Sequence, residues 1–177
     1  MPLSQKLTQA APQMLPEAPA HHDAVERVLD RAFGPGRFAK PSERVREFAR
    51  FRPDLSRVAV SGPVMLGCCR IYEIGIGDQT ALFLGPLAVD PDAQHGGLGH
   101  VLVTETVAAC REAGFGAIVL MGQPSFFTTL GFSQIPDGRI ALPTPTEGRR
   151  MHWIALREGA LDQLGGAVSP PPGASRA

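Results

Sequence analysis

The sequence predicts an α+β fold: a mixed, mostly antiparallel sheet flanked by helices. Three observations carry that expectation. Helical hydrophobic spacing dominates before Pro53, strand alternation begins at Arg57, and a single strand–turn–helix–strand unit follows between Thr80 and Met121. A splay of the sheet is also predicted. Gly85-Pro86 interrupts the third strand of the alternating region, and proline cannot donate to a ladder, so a bulge or an unpaired edge is expected there.

Taken in order, Val25, Val28, Leu29, Ala32 and Phe33 mark one face of a first helix, with Asp23 near its start and Gly34 as its stop. Pro41-Ser42 opens a second helix carrying Val45, Phe48 and Phe51, ended by Pro53. Residues 57–61, 64–76 and 80–89 read as three consecutive antiparallel strands joined at Gly62-Pro63 and Gly77-Asp78. A helix from Gly97 to about Ala113 has Leu98, Leu102, Ala109 and Ala113 on its apolar side with Val103 and Cys110 beside them, and His100, Thr104, Arg111 and Glu112 opposite. Ala117–Met121 is continuously apolar, as expected of a strand buried on both faces. A right-handed βαβ unit results. Residues 124–130 read as a short helix, 133–150 as strand and then loop, and 151–156 as a last strand.

Composition narrows the class. A chain of 177 residues that is 44% hydrophobic and 19% charged suits one domain with an adequate core. The expected organisation is a loose leader over 1–19, a domain over 20–164 and a flexible Pro/Gly/Ser tail over 165–177. Net charge is zero and the pI is near 7.0, which disfavours nucleic acid or a membrane surface as partner. Of the 17 basic residues only Lys6 and Lys40 are lysines, a bias that fits a GC-rich genome. Cys68, Cys69 and Cys110 have no metal-ligand spacing, and the adjacent pair should point to opposite faces of a strand. No run of ~20 apolar residues and no signal-peptide apolar core is present, so a reduced, cytoplasmic setting is expected.

The chemistry concentrates after Val89. An apolar strand ends there, a polar turn follows, and Gly96, Gly97 and Gly99 open the amphipathic helix. Backbone N–H groups and the positive end of a helix dipole would converge on one point, which suits a phosphate or pyrophosphate. The segment lacks the Gly-Lys-Ser/Thr ending of a P-loop, and also the glycine order and trailing acid of a dinucleotide fold. What remains, Gln94-His95-Gly96-Gly97-Leu98-Gly99, is an anion cradle or a tight strand-to-helix turn.

On these residues the chain resembles the GNAT superfamily of N-acetyltransferases. Leu84–Leu102 is similar to its acyl-CoA motif, Gln/Arg-x-x-Gly-x-Gly/Ala after an apolar strand. Phe126-Phe127-Thr128-Thr129-Leu130-Gly131-Phe132 looks like its aromatic-x-x-x-Gly-Phe block. The run Leu84-Gly85-Pro86-Leu87-Ala88-Val89-Asp90-Pro91 and the stretch Ile154–Leu161 resemble a subgroup of bacterial predicted N-acetyltransferases. The likeness spans about residues 20–164 and is strongest over 82–132.

The resemblance implies a GNAT-like fold with a splayed central strand pair, and acetyl-CoA or another short acyl-CoA as co-substrate, with no metal. Leu87, Ala88 and Val89 would offer strand backbone to the pantetheine arm. Gln94, His95, Gly96, Gly97, Leu98, Gly99 and His100 would form the pyrophosphate cradle, chiefly through backbone amides. Gly96 stands where the family often has a basic residue, which removes a side-chain charge but no backbone donor. Phe127 occupies the position of the family's usual tyrosine acid and cannot donate a proton. Packing against the cofactor arm is its expected role.

Glu73 is the candidate base, with Tyr72 and His152 as other strand-borne polar groups. Ser125, Thr128 and Thr129 read as helix-capping groups or as hydrogen-bond partners near a thioester. Arg149-Arg150 is a solvated loop pair or a selector of acidic substrates. The reaction implied is acyl transfer to the amine of a small molecule or a protein, by direct attack in a ternary complex. The rival is a module that binds acyl-CoA without turnover. The resemblance also leaves a homodimer open.

Overall fold

The computed structural model describes residues 11–174. In chain order it comprises β1 (Gln13–Pro16), α1 (His22–Phe33), α2 (Pro41–Arg46), β2 (Arg50–Phe51), β3 (Arg57–Ser61), β4 (Val64–Ile76) and β5 (Gln79–Val89). A 3-10 turn at Pro91–Gly96 leads into α3 (Leu98–Glu112), followed by β6 (Ala117–Met121), α4 (Pro124–Phe127), β7 (Ser133–Gln134), β8 (Ile140–Ala141), β9 (Met151–Ala155) and β10 (Gly166–Ser169). The main strand order is β1-β3-β4-β5-β6-β9-β7. Within that path only the β5–β6 pair is parallel, as a βαβ crossover through α3 requires.

The period-two pattern of the strands sorts the core to two faces. Cys69, Ile71, Leu82 and Leu84 pack with Leu102, Val103 and Cys110 of α3. Cys68 and Ala88 face the other way, onto Val25, Val28 and Leu29 of α1. The adjacent cysteines therefore lie on opposite faces, and both are buried. Burial pushes Cys68, Cys69 and Cys110 up to about 12, which leaves all three as neutral thiols at neutral pH.

The expected interruption falls at Gly85-Pro86. Leu84 is opposite Ile71 and Leu87 is opposite Cys69, so two residues of β5 face the single Arg70 of β4. This is a β-bulge. On its other side β5 pairs with β6 only over Leu82–Leu84. The two strands part immediately after that, so the bulge and the splay coincide.

Three segments differ from the sequence expectation. The second helix stops at Arg46, and Arg50–Phe51 becomes a strand paired with Tyr72–Glu73. The long strand β4 outruns its partner β3, which ends opposite Cys69, and unpaired backbone is costly when buried. That demand overrides the helical spacing of Phe48 and Phe51. The leader expected over 1–19 contributes β1, antiparallel to β3; residues 1–10 lie outside the described residues. The tail expected to be flexible over 165–177 contributes β10, antiparallel to Gly75–Ile76 and parallel to β8; residues 175–177 are likewise outside. Gly75 permits this closure, because a Cβ there would lie 2.6 Å from Ser169 Oγ.

Candidate active site

The glycine turn is built by its neighbours on both sides. The Asp90 carboxylate accepts the Asp92 N–H at 3.0 Å, and the Asp90 N–H donates to the Leu66 carbonyl at 2.7 Å. Arg31, in the last turn of α1, bridges Asp90 at 3.1 Å and Asp92 at 2.9 Å. The turn is thereby tied to α1 as well as to β4. Gly97 then takes a left-handed conformation (φ +73°) as N-cap of α3. Leu98 and Gly99 occupy the first helical positions, whose N–H groups have no intrahelical acceptor. Nothing lies within 4 Å of where a Cβ would sit on Gly96 or Gly97. An anion could approach this backbone closely.

The strand edge beside it is also available. Since Asp90 bonds to β4, the alternation of a strand turns the N–H and C=O of Leu87 and Val89 toward the side that β6 has left. The Gln94 amide reaches the Val89 carbonyl at 3.4 Å, closing one end of the edge. Leu87 and Val89 pack their side chains on the α3 core, and Ala88 packs on the α1 side. His100 leaves the turn: it stacks on Phe126, with ring centroids 4.5 Å apart, and its Nε2 lies 3.2 Å from Thr129 Oγ1. The His95 backbone lies within the 3-10 turn.

A cavity of about 740 Å³ opens where β5 and β6 part. Leu84–Leu87 and Met121–Gln123 form its strand walls, Phe126 and Phe127 close one side, and the segment from Phe33 to Arg46 closes the other. Phe127 is 6% exposed and meets Phe126 and Phe132 edge-on. Its ring lies over Gly122, where a Cβ would come within 2.2 Å of Phe127 Cε2. Phe127 is therefore a packed wall of the cavity, held against a residue that has no side chain.

The polar candidates divide. Glu73 sits on β4 with its carboxylate between Arg50 at 3.3 Å and Arg52 at 3.0 Å, and it is not among the residues that line the cavity. Tyr72 packs on Phe51 at 5.2 Å, and burial raises its phenol. His152 is buried on β9, its Nδ1 3.2 Å from the Arg150 carbonyl. Thr128 and Thr129 donate back to the carbonyls of Pro124 and Phe126 at 2.7 and 2.6 Å, so they cap the C-terminal end of α4. The carboxylate that does line the cavity is Glu43, ion-paired with Arg46. Periodicity predicts a helix from Pro41 to Pro53; only the tertiary fold brings its first part, α2, over the splay. Among the described residues no cluster of three or more His, Cys, Asp or Glu could hold a metal ion, and no helix is long and apolar enough to cross a membrane.

These features define an α+β protein with a parallel strand pair splayed beside a glycine turn at a helix N-terminus. The model of the acetyltransferase (GNAT) family matches residues 22–132, and the chain belongs to that family. It is 26% identical over 156 residues to the uncharacterized N-acetyltransferase YhbS of Escherichia coli K12, covering 86% of this chain and 92% of that one. Among solved structures, Escherichia coli YhbS in complex with CoA superposes with a TM-score of 0.74 at 23% identity, over 90% of this chain and 88% of that chain. A GNAT family acetyltransferase from Brucella melitensis in complex with acetyl-CoA gives 0.66 at 23% identity, over 89% and 94%.

Proposed function

We propose that this GNAT family member transfers a short acyl group, acetyl first among them, from CoA to an amine by direct attack in a ternary complex. The observation that carries the reading is the edge of β5 that β6 leaves unpaired at Leu87 and Val89, closed at one end by Gln94 and running from the splay to the turn at Gly97. An acyl-CoA laid along that edge would supply an activated thioester. Leu87 and the Val89 N–H would hold the pantetheine amides, and the backbone N–H groups from His95 to Gly99 would face the pyrophosphate, the His100 N–H being held by the Gly97 carbonyl at 3.1 Å. A strand N–H at the bulge would polarise the thioester carbonyl, so catalysis would come mainly from positioning and preset dipoles.

In the transfer, the amine nitrogen bonds to the carbonyl carbon, the C–S bond breaks, and the sulfur leaves as thiolate. Phe127 has no proton to give, so solvent protonates that thiolate. The attacking nitrogen must lose a proton, and Glu43 is the carboxylate we place as its relay to water. The proposed setting is the cytoplasm, with a small-molecule or protein amine as acceptor.

Acetyl-CoA at a hundredfold excess over its Kd is expected to stabilise the native chain by about 2.7 kcal/mol. Scanning fluorimetry should then show Tm rising by roughly 5–10 °C. An unchanged Tm would sink the reading. Thiol release over an amine panel tests turnover; saturable binding without release would instead favour the module that only binds.

Phe127→Tyr is expected to change kcat for thiol release by less than about tenfold, because solvent already serves the thiolate. A gain of about 10² or more, the range for adding a working general acid, would show that a donor position had been vacated.

A further inference from the structure

Four cations line the cavity against one carboxylate: Arg37, Lys40, Arg46 and Arg150 against Glu43. Two are neutralised, Arg37 by Glu26 and Asp30, and Arg46 by Glu43. Lys40 and Arg150 make no ion pair among the described residues, although the chain as a whole is neutral. Lys40 Nζ rests over the Phe33 ring at 4.0 Å. The 149–150 pair is split in function: Arg149 is held by Glu147 at 2.8 Å, and only Arg150 lines the cavity.

We propose that the acceptor amine carries a carboxylate, bound at the acyl end of the cavity by Lys40 and Arg150 with Arg46 beside them. The inference rests on the acyltransferase reading above and names the substrate class for that same site.

Position separates these cations from the phosphates of CoA. Arg46 Nη1 lies 3.6 Å from where a Cβ would sit on Gly85, which places it at the bulge. The Arg150 carbonyl accepts the Gly122 N–H at 2.9 Å, at the end of β6 and next to the point of parting. The glycine turn begins beyond Val89, five strand residues further on from Leu84, or roughly 17 Å at ~3.3 Å per residue. The cations therefore gather where the acyl group and its acceptor would meet.

Electrostatics agree with the geometry. Burial, then Arg150, then Arg46 lower the Lys40 ammonium, against a smaller opposing pull from Glu43. A carboxylate entering among these groups would relieve that repulsion. Guanidinium offers it a paired donor fork and ammonium a compact charge.

The test measures thiol release by the full chain with saturating acetyl-CoA. Amino acids, dipeptides and tripeptides are each compared with the corresponding carboxamide, at equal concentration of free amine. The carboxylate member is expected to have at least about tenfold higher kcat/KM, in line with a charge-assisted hydrogen-bonded pair. Lys40→Gln and Arg150→Gln, both at exposed positions, should each cut that preference about tenfold, through KM rather than kcat. Equal use of the carboxamides overturns the proposal, as does a panel in which nothing reacts. It is also overturned if the variants weaken acetyl-CoA binding in calorimetric titration and leave the preference intact, since the cations would then serve CoA phosphate. Failure of acetyl-CoA to raise Tm is a separate result, and it removes the acyltransferase reading itself.

Discussion

Replacing Arg70 by methionine is expected to cost about 3–5 kcal/mol of folding stability, the loss seen when one partner of a buried ion pair is removed. Arg70 sits opposite the bulge and donates to Glu17 through Nε and Nη2, the shortest contact being 2.7 Å, and to Glu26 at 3.0 Å. Its side chain is 9% exposed and that of Glu17 4%, so water cannot replace the lost partner. Glu26 also holds Arg37, which continues to Asp30. One network thus ties the end of β1, the helix α1 and the cavity wall to the bulge. Thermal unfolding should show Tm lower by roughly 10 °C. The double variant Glu17→Leu, Arg70→Met should lose less than Arg70→Met alone, because no stranded carboxylate remains at position 17. A double variant as unstable as the single would show that packing, not charge, sets the loss.

The same network gives a pH signature. Burial is the largest influence on Glu26 and pushes its carboxyl up, but the hydrogen bonds and charges of Arg37 and Arg70 outweigh it and hold it below its ordinary value. A carboxyl depressed in the folded state contributes stability above its unfolded pKa, about 4.3, and loses it as pH falls through the folded value. The stability gap between the parent and Arg70→Met should therefore narrow below about pH 4.

Gly97→Val is expected to raise the Kd for acetyl-CoA at least tenfold, which corresponds to about 1.4 kcal/mol. At φ +73° an L-residue is strained by roughly 1–2 kcal/mol, and a β-branched one by more, so the turn would settle in another conformation. The N–H groups of Leu98 and Gly99 would then lose their common aim. The new side chain would also project into the open space beside the turn. Gly96→Ala, at a position without positive φ, should have a smaller effect. Calorimetric titration reads both variants. Equal Kd values for the parent and Gly97→Val would show that the turn takes no part in binding.

Much of the frame was legible because its signals are local. The three strands from Arg57 to Val89, the helix after the glycines and the apolar strand at Ala117 follow from periodicity and turn residues alone. Gly85-Pro86 marked the bulge because a missing N–H interrupts any ladder. Arg50–Phe51 and Gly166–Ser169 were not legible as strands. Their pairing is dictated by the unfilled edge of β4, a demand that lies more than 20 residues away along the chain for one and more than 90 for the other. Glu17 offered no sign of burial either, since its partner Arg70 comes from a distant strand.

The α+β class, the glycine turn at the start of α3 and the lack of a tyrosine at Phe127 are properties of the amino-acid order, because each depends on residue types within a few positions of one another. The wall of the cavity is a property of the folded chain. Folding left Glu73 between two arginines, carried Glu43 and Arg46 to the splay, and parted Arg150 from Arg149. These placements arise from packing between segments remote in sequence, where hydrophobic burial and charge pairing act together and no local spacing records the result.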